Sequence, residues 1–127
     1  MIAELYLYGL LVHLVADWML QSDWMALNKT QLRHPAAWVH SGIHTLGFML
    51  VYPVSVSLIL GLAHILVDTR VPLIWWRNIF RQAPEGATGI SFAMWQDQAV
   101  HIISIIIAVL VMVRWDLGDG LVMYWLR

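Results

Sequence analysis

The sequence contains no cysteine, which excludes disulfides and thiolate metal ligands alike. It is also poor in charge. Asp, Glu, Lys and Arg make up 12% of the 127 residues, against about 25% in an ordinary soluble domain. So few charges cannot coat a globule of this size, and lipid is the expected solvent for much of its surface. The formal net charge of −1 offers no electrostatic footprint for nucleic acid. A secretory leader is not expected either: Glu4 stands where a basic segment would precede the apolar run, so that run reads as a permanent helix.

What is abundant is apolar surface. Hydrophobic residues make up 61% of the chain, and the mean hydropathy is strongly positive. The pattern predicts an all-α fold: a single transmembrane domain over residues 1–127, built as an integral membrane up-down four-helix bundle with short interfacial helices. The expected helices span about 2–22, 36–52, 53–69 and 90–114. A spanning helix needs about 20 apolar residues, so the second and third are short and require tilt or local thinning. They meet at Tyr52-Pro53. Read as one helix, the joined stretch would be about 48 Å long at 1.5 Å per residue, too long for a hydrocarbon core of about 30 Å. A tight hairpin with Pro53 opening the third helix is the better reading.

Two longer connections remain. Within the second, residues 72–82 oppose Trp75, Trp76, Ile79 and Phe80 to Arg77 and Arg81, as a helix lying in the interface plane would. The C-terminal tail opens with a Gly118-Asp119-Gly120 turn and is expected to be interfacial too. The two connections carry Lys29, Arg33, Arg70, Arg77 and Arg81, five of the seven basic residues. The positive-inside rule therefore assigns them to the cytoplasm and both termini to the outside. Trp18, Trp24, Trp38, Trp75, Trp76 and Trp95 cluster toward the same side, as an interfacial aromatic belt would.

The ionisable residues inside the helices come in pairs: His13 and Asp17, His40 and His44, His64 and Asp68, Asp97 and His101. Each pair is spaced i, i+4, which puts both side chains on one helix face, the device by which a His-Glu-x-x-His helix chelates zinc. In an up-down bundle all four pairs fall at one depth, near the basic connections. The Tyr52-Pro53 hairpin adds register: His44 and His64 are equidistant from Val54, and so are His40 and Asp68. Polar residues in membrane helices often serve only as interhelical hydrogen-bond glue, worth about 1 kcal/mol. Random placement of the six His and eight acidic residues would give roughly one or two such pairs, not one in every helix. A charged Asp at mid-helix costs about 2.5–3.5 kcal/mol on insertion scales, a cost retained when the group has a partner.

Five imidazoles and three carboxylates suit Zn first, with Mn or Fe possible, better than Cu(I), Mg or Ca. Eight donors exceed the four of a tetrahedral zinc. Two ions bridged by a carboxylate are therefore expected, with some Asp residues orienting ligand imidazoles instead of binding metal. Gln21 and Arg70 lie at the same mouth and would clamp an anionic substrate. Lys29, Arg33, Arg77 and Arg81 are accounted for by topology and snorkelling, and His34, beside Pro35, by a surface loop. The segment containing His13 and Asp17 weakly repeats in the one containing His64 and Asp68, as a duplicated hairpin would.

On these residues the chain resembles a family of short bacterial membrane proteins, the domain of unknown function 3307. The matching positions are His13, Asp17, Leu20, Gln21 and Lys29, then His40 and His44, then His64 and Asp68, then Asp97, Gln98 and His101. Trp18 stands where the family tends to have Phe. The resemblance implies a bacterial inner-membrane, multi-pass protein and a metal site, but no particular reaction. A more distant likeness to bacterial membrane proteins described as metal-dependent hydrolases is analogy only.

The expected function is that of a dinuclear metal-dependent hydrolase, acting on a lipid or phosphorylated substrate at the cytoplasmic leaflet. A water activated by metal would be the nucleophile. Asp17, Asp68 or Asp97 would act as base, with Arg70 and Gln21 on the anion. The alternatives are a metal or proton transporter or sensor subunit, and a non-catalytic protein whose polar network specifies packing. Three carboxylates at the level of the imidazoles make haem ligation a poor fit. The bilayer is the expected partner, and a bundle this small could form a homo-oligomer.

Overall fold

The computed structural model describes residues 2–82, 86–118 and 120. Among them there are six helices and no strand: α1 (Ile2–Trp18), α2 (Asp23–Asn28), α3 (Pro35–Val51), α4 (Val54–Asp68), α5 (Val71–Phe80) and α6 (Gly86–Trp115). The Gly118-Asp119-Gly120 turn and the tail beyond it fall largely outside the described residues.

Local chemistry sets the boundaries. α1 stops four residues short of the expected 22 because Ser22 begins a new helix. Its side chain accepts a hydrogen bond from the Met25 amide, and Asp23 puts negative charge in the first turn, both favourable at a helix N-terminus. α3 starts at Pro35, whose missing N–H costs nothing in a first turn. His34 caps it, with Nδ1 accepting from the Ala36 amide, so this histidine has a structural role. Pro53 separates α3 from α4. The hairpin expected from the sequence forms, and the Ser41 hydroxyl donates to the Gly61 carbonyl across it.

α1 packs against α3 and α6, and α4 packs against α3 and α6, which closes a ring of four helices. α2 lies on α3, and α5 on the end of α4. One end of the ring is dry, with Leu5, Phe48, Val51, Tyr52, Val56, Leu60, Ile105, Val109 and Met112 as its core. There the Gly120 amide donates to the Val51 carbonyl, and the Tyr52 hydroxyl to the Leu5 carbonyl. The ring reaches that carbonyl over Gly9, where a β-carbon would overlap the Tyr52 hydroxyl.

Among the described residues one helix, Gly86–Trp115, is long and apolar enough to cross a membrane. α4 and α5, bent by 60° at their junction, would make a second if taken as one span. α1 and α3 have 17 residues each, about 26 Å at 1.5 Å per residue. Helix length therefore supports a membrane location without establishing four spans. The bend between α4 and α5 falls at Arg70, which adopts a left-handed conformation (φ 62°) that costs a non-glycine residue roughly 1–2 kcal/mol.

The Gly9–Tyr52 contact yields a test. Gly9→Ala should destabilise the protein by about 1–3 kcal/mol through overpacking, read as a lower thermal unfolding temperature in detergent. Adding Tyr52→Phe, which removes the obstructing oxygen, should restore part of the loss.

Candidate metal centre

The other half of the ring is polar. Four helix faces contribute their i, i+4 residues, and all but Asp97 of these eight side chains are buried together. His13, Asp17, His40, His44, His64, Asp68 and His101 are all buried. α6 joins through a stripe at spacings of three and four, Gln98, His101, Ile105, Val109 and Met112, which turns from polar to apolar along its length.

The centre is organised around two carboxylates. Asp17 Oδ1 lies 3.1 Å from His40 Nε2 and 3.1 Å from His44 Nε2, and 4.0 Å from His64 Nε2. Asp68 Oδ2 lies 3.2 Å from His64 Nε2 and 3.4 Å from His40 Nε2, and its Oδ1 is 3.5 Å from His101 Nε2. His40 and His64 face each other Nε2 to Nε2 at 3.2 Å. His64 is stacked between two other rings, its centroid 3.6 Å from that of His44 and 4.2 Å from that of His101. The register read from the hairpin is the register observed, His44 opposite His64 and His40 opposite Asp68.

These contacts cannot all be hydrogen bonds. An imidazole nitrogen offers either one proton or one lone pair in the ring plane. His40 Nε2 has two carboxylates, another Nε2 and the Lys29 ammonium within 3.4 Å. A proton there suits the carboxylates and opposes the ammonium, and a lone pair does the reverse. A cation among the donors resolves the conflict. Asp17, His40, His44 and His64 each offer one atom to a group whose members lie within 4.8 Å of one another, and so do His64, Asp68 and His101. Ligands of a tetrahedral zinc at about 2.0–2.1 Å stand about 3.3 Å apart. Three of the measured separations in the first group, 3.1, 3.1 and 3.2 Å, match that edge to within 0.2 Å. The donor set thus fits a divalent ion of zinc's size.

Six of the eight expected ligands converge in these two groups, and two stand outside. His13 Nε2 is 3.1 Å from Gln98 Oε1 and 3.5 Å from Asp17 Oδ2, so it supports the Asp17 carboxylate from behind. Asp97 is at the rim, 3.8 Å from His101 Nε2, with its side chain 17% exposed. The Nδ1 atoms of His13, His40 and His44 have no hydrogen-bond partner among the described residues. His44 is stacked on His64, whereas His13 and His40 make tilted and edge-on contacts with the neighbouring rings, in place of the carbonyl or carboxylate that usually orients a ligand histidine.

Beside the centre is a cavity of about 590 Å³ lined by Asp17, Trp18, Gln21, Lys29, Arg70 and Asp97, among others. Arg70 and Gln21, expected as anion clamps, therefore line this cavity, and Gln21 Oε1 is buried without a partner. The cavity is open because the first three turns of α6 are mostly exposed. They are tied to α5 by Arg77 donating to Gln96 and by Arg77 over the Phe92 ring.

Two residues of the centre were not singled out by sequence spacing. Gln98 Nε2 donates to Asp17 Oδ2 at 2.9 Å. Its signal was its position three residues before His101 on the buried stripe. Lys29 does not snorkel outward: Nζ lies 3.1 Å from Asp68 Oδ1 and 3.7 Å from Asp17 Oδ1, and the side chain is 14% exposed. Only the family pattern, which includes a lysine there, pointed to it.

The fold and site define a small all-α protein with a buried histidine–aspartate cluster able to hold metal. The family described as "Protein of unknown function (DUF3307)" matches residues 5–123, and the chain belongs to that family. No curated protein and no solved structure matches it.

Gln98→Leu keeps the volume but strips Asp17 Oδ2 and His13 Nε2 of a buried partner. It should cost about 1–3 kcal/mol, measured by thermal unfolding, whereas Gln96→Leu at the rim should cost less than half as much.

Proposed function

We propose that the chain is a membrane-embedded metal-dependent hydrolase whose centre opens to the cytoplasmic leaflet and acts on an anionic, phosphorylated or lipid substrate. The observation that carries the metal reading is the convergence of donor atoms from Asp17, His40, His44 and His64 to within 4.8 Å of one another, with three of their separations, 3.1, 3.1 and 3.2 Å, near the edge length of a zinc tetrahedron. The membrane reading draws on composition and on the outward faces. Leu7, Leu11, Leu46, Ile59, Leu62, Ile103, Ile107 and Leu110 are all exposed, more contiguous apolar surface than a soluble monomer carries. In this reading α1, α3, α4 and α6 are four spans, with α2 and α5 at the interface on the basic, cytoplasmic side.

Bound metal, Zn as first choice with Mn or Fe possible, would polarise the substrate and activate water near neutral pH. The residues around it have separable tasks. Asp17 and the three imidazoles hold the ion, while Gln98 and His13 fix the far oxygen of Asp17. Asp97, partly exposed and outside both donor groups, is the carboxylate free to take a proton from water. Arg70 and Gln21 border the cavity where an anion would lie, and the left-handed backbone at Arg70 is a local strain of the kind kept at functional positions. Transport fits less well. Ser57 and Ser104 in the dry half bond to nearby backbone, Ser57 to Tyr52 and Pro53, Ser104 to Val100. No chain of ionisable groups continues beyond the cluster among the described residues.

A second reading has one observation in its favour. Lys29 already supplies a cation to both carboxylates, so a metal-free polar network would be charge-compensated. Metal content separates the two. Protein purified in detergent without chelator should carry stoichiometric Zn, Mn or Fe by elemental analysis. His44→Ala and His64→Ala should each lower that content at least tenfold while Asp97→Asn keeps it. Hydrolysis of short-chain phosphatidic acid should fall in all three. Metal-free native protein would overturn the hydrolase in favour of the network.

A further inference from the structure

We infer that Lys29 is the second cation of the centre: one metal ion on Asp17, His40, His44 and His64 shares the cluster with one ammonium, not with a second metal. This inference rests on the metal-binding reading above and revises the count of two ions that the eight donors suggested.

Lys29 is the only lysine in the chain, and the fold carries it inward. It is the C-cap of α2, its amide bonded to the Met25 carbonyl. The Ser22 cap and the His34 cap fix the two ends of the segment that holds it, and α2 packs on α3. From there Nζ reaches Asp68 Oδ1, Asp17 Oδ1 and His40 Nε2 at 3.1, 3.7 and 3.4 Å. It therefore sits between the two donor groups, at the boundary of the cavity. An ammonium is a compact point charge with three donors and no acceptor, so it suits the two carboxylates; with the metal on the His40 Nε2 lone pair, its donors serve Asp68 and Asp17 alone.

Ligand arithmetic points the same way. The two groups overlap at His64, and a single Nε2 lone pair binds a single ion. Once the four-donor group is filled, the other retains only Asp68 and His101 as protein ligands, and the ammonium lies 3.1 Å from Asp68 Oδ1, the oxygen nearest His101, so a second ion could bind there only with Lys29 removed and solvent completing its shell. Charge agrees. The two buried carboxylates, Asp17 and Asp68, against one divalent ion and one ammonium leave an excess of one positive charge, beside which Asp97 stands at the rim. A second divalent ion beside Lys29 would raise that excess to three, which an apolar interior penalises severely. Lys29 thus neutralises Asp68, leaves Asp17 to the metal, and presents its remaining donor capacity to an anion in the cavity.

The test is metal stoichiometry, read as equivalents bound per chain by elemental analysis after zinc loading and desalting. Wild-type protein should hold one equivalent. Lys29→Met, which keeps the length of the side chain and removes the charge, should hold two, and the second should vanish when His101→Ala is added. Size-exclusion elution and circular dichroism establish that the variants are folded. Two equivalents in the wild-type protein would overturn the inference whether or not the variant folds. So would one equivalent in folded Lys29→Met. No zinc in any of them would overturn the metal centre itself and this inference with it.

Discussion

Everything in this structure depends on the need to compensate two carboxylates buried among apolar helices. A carboxylate removed from water is costly unless it is paired and hydrogen-bonded. Asp17 and Asp68 are surrounded on every side by groups able to do this: imidazoles from α3, α4 and α6, the amide of Gln98 and the ammonium of Lys29. The polar layer consequently acts as an alignment key for the ring of helices. Rotating any one helix by a single position would strand a charge in an apolar wall.

The opposite half of the ring follows ordinary packing rules. It is sealed by Phe48, Leu60 and Val109 and fastened by one hydroxyl, that of Tyr52, on the Leu5 carbonyl. A polar half holding the histidine–aspartate cluster and an apolar half packed as a core share the same four helices. The division also explains why the cavity is one-sided: α6 is packed only from Gln98 onward, and its earlier turns stand away from the core.

Much of this was legible in the sequence. The i, i+4 spacing of His40 with His44 and of His64 with Asp68 fixes a shared face. Pro53 fixes the hairpin, and symmetry about Val54 gives the register in which His44 stacks on His64. What escaped was set by tertiary direction. Lys29 lies in a connection where positive charge already has an explanation, and nothing in its spacing indicates that α2 turns it inward. The short α2 itself was hidden because Met19 and Leu20 prolong the apolar run of α1, although Ser22 and Asp23 carry a recognisable start signal. His13 and Asp97 have the spacing of ligands but stand just outside the donor groups, a difference of an ångström or two that no periodicity resolves. Three of the four proposed spans, α1, α3 and α4, are shorter than a bilayer core, so hydropathy and helix length give different answers, and the exposed apolar faces favour the former.

The two-residue link at Tyr52-Pro53 has a consequence for assembly. His40, His44, His64 and Asp68 all belong to the single hairpin it joins, whereas α1 and α6 each bring just one converging donor, Asp17 and His101. Most of the converging donors therefore come from neighbours in the chain, joined by a link of two residues. α6, the last helix among the described residues, closes the ring against α1 and α4, and without it the nest of imidazoles would lie open along one flank.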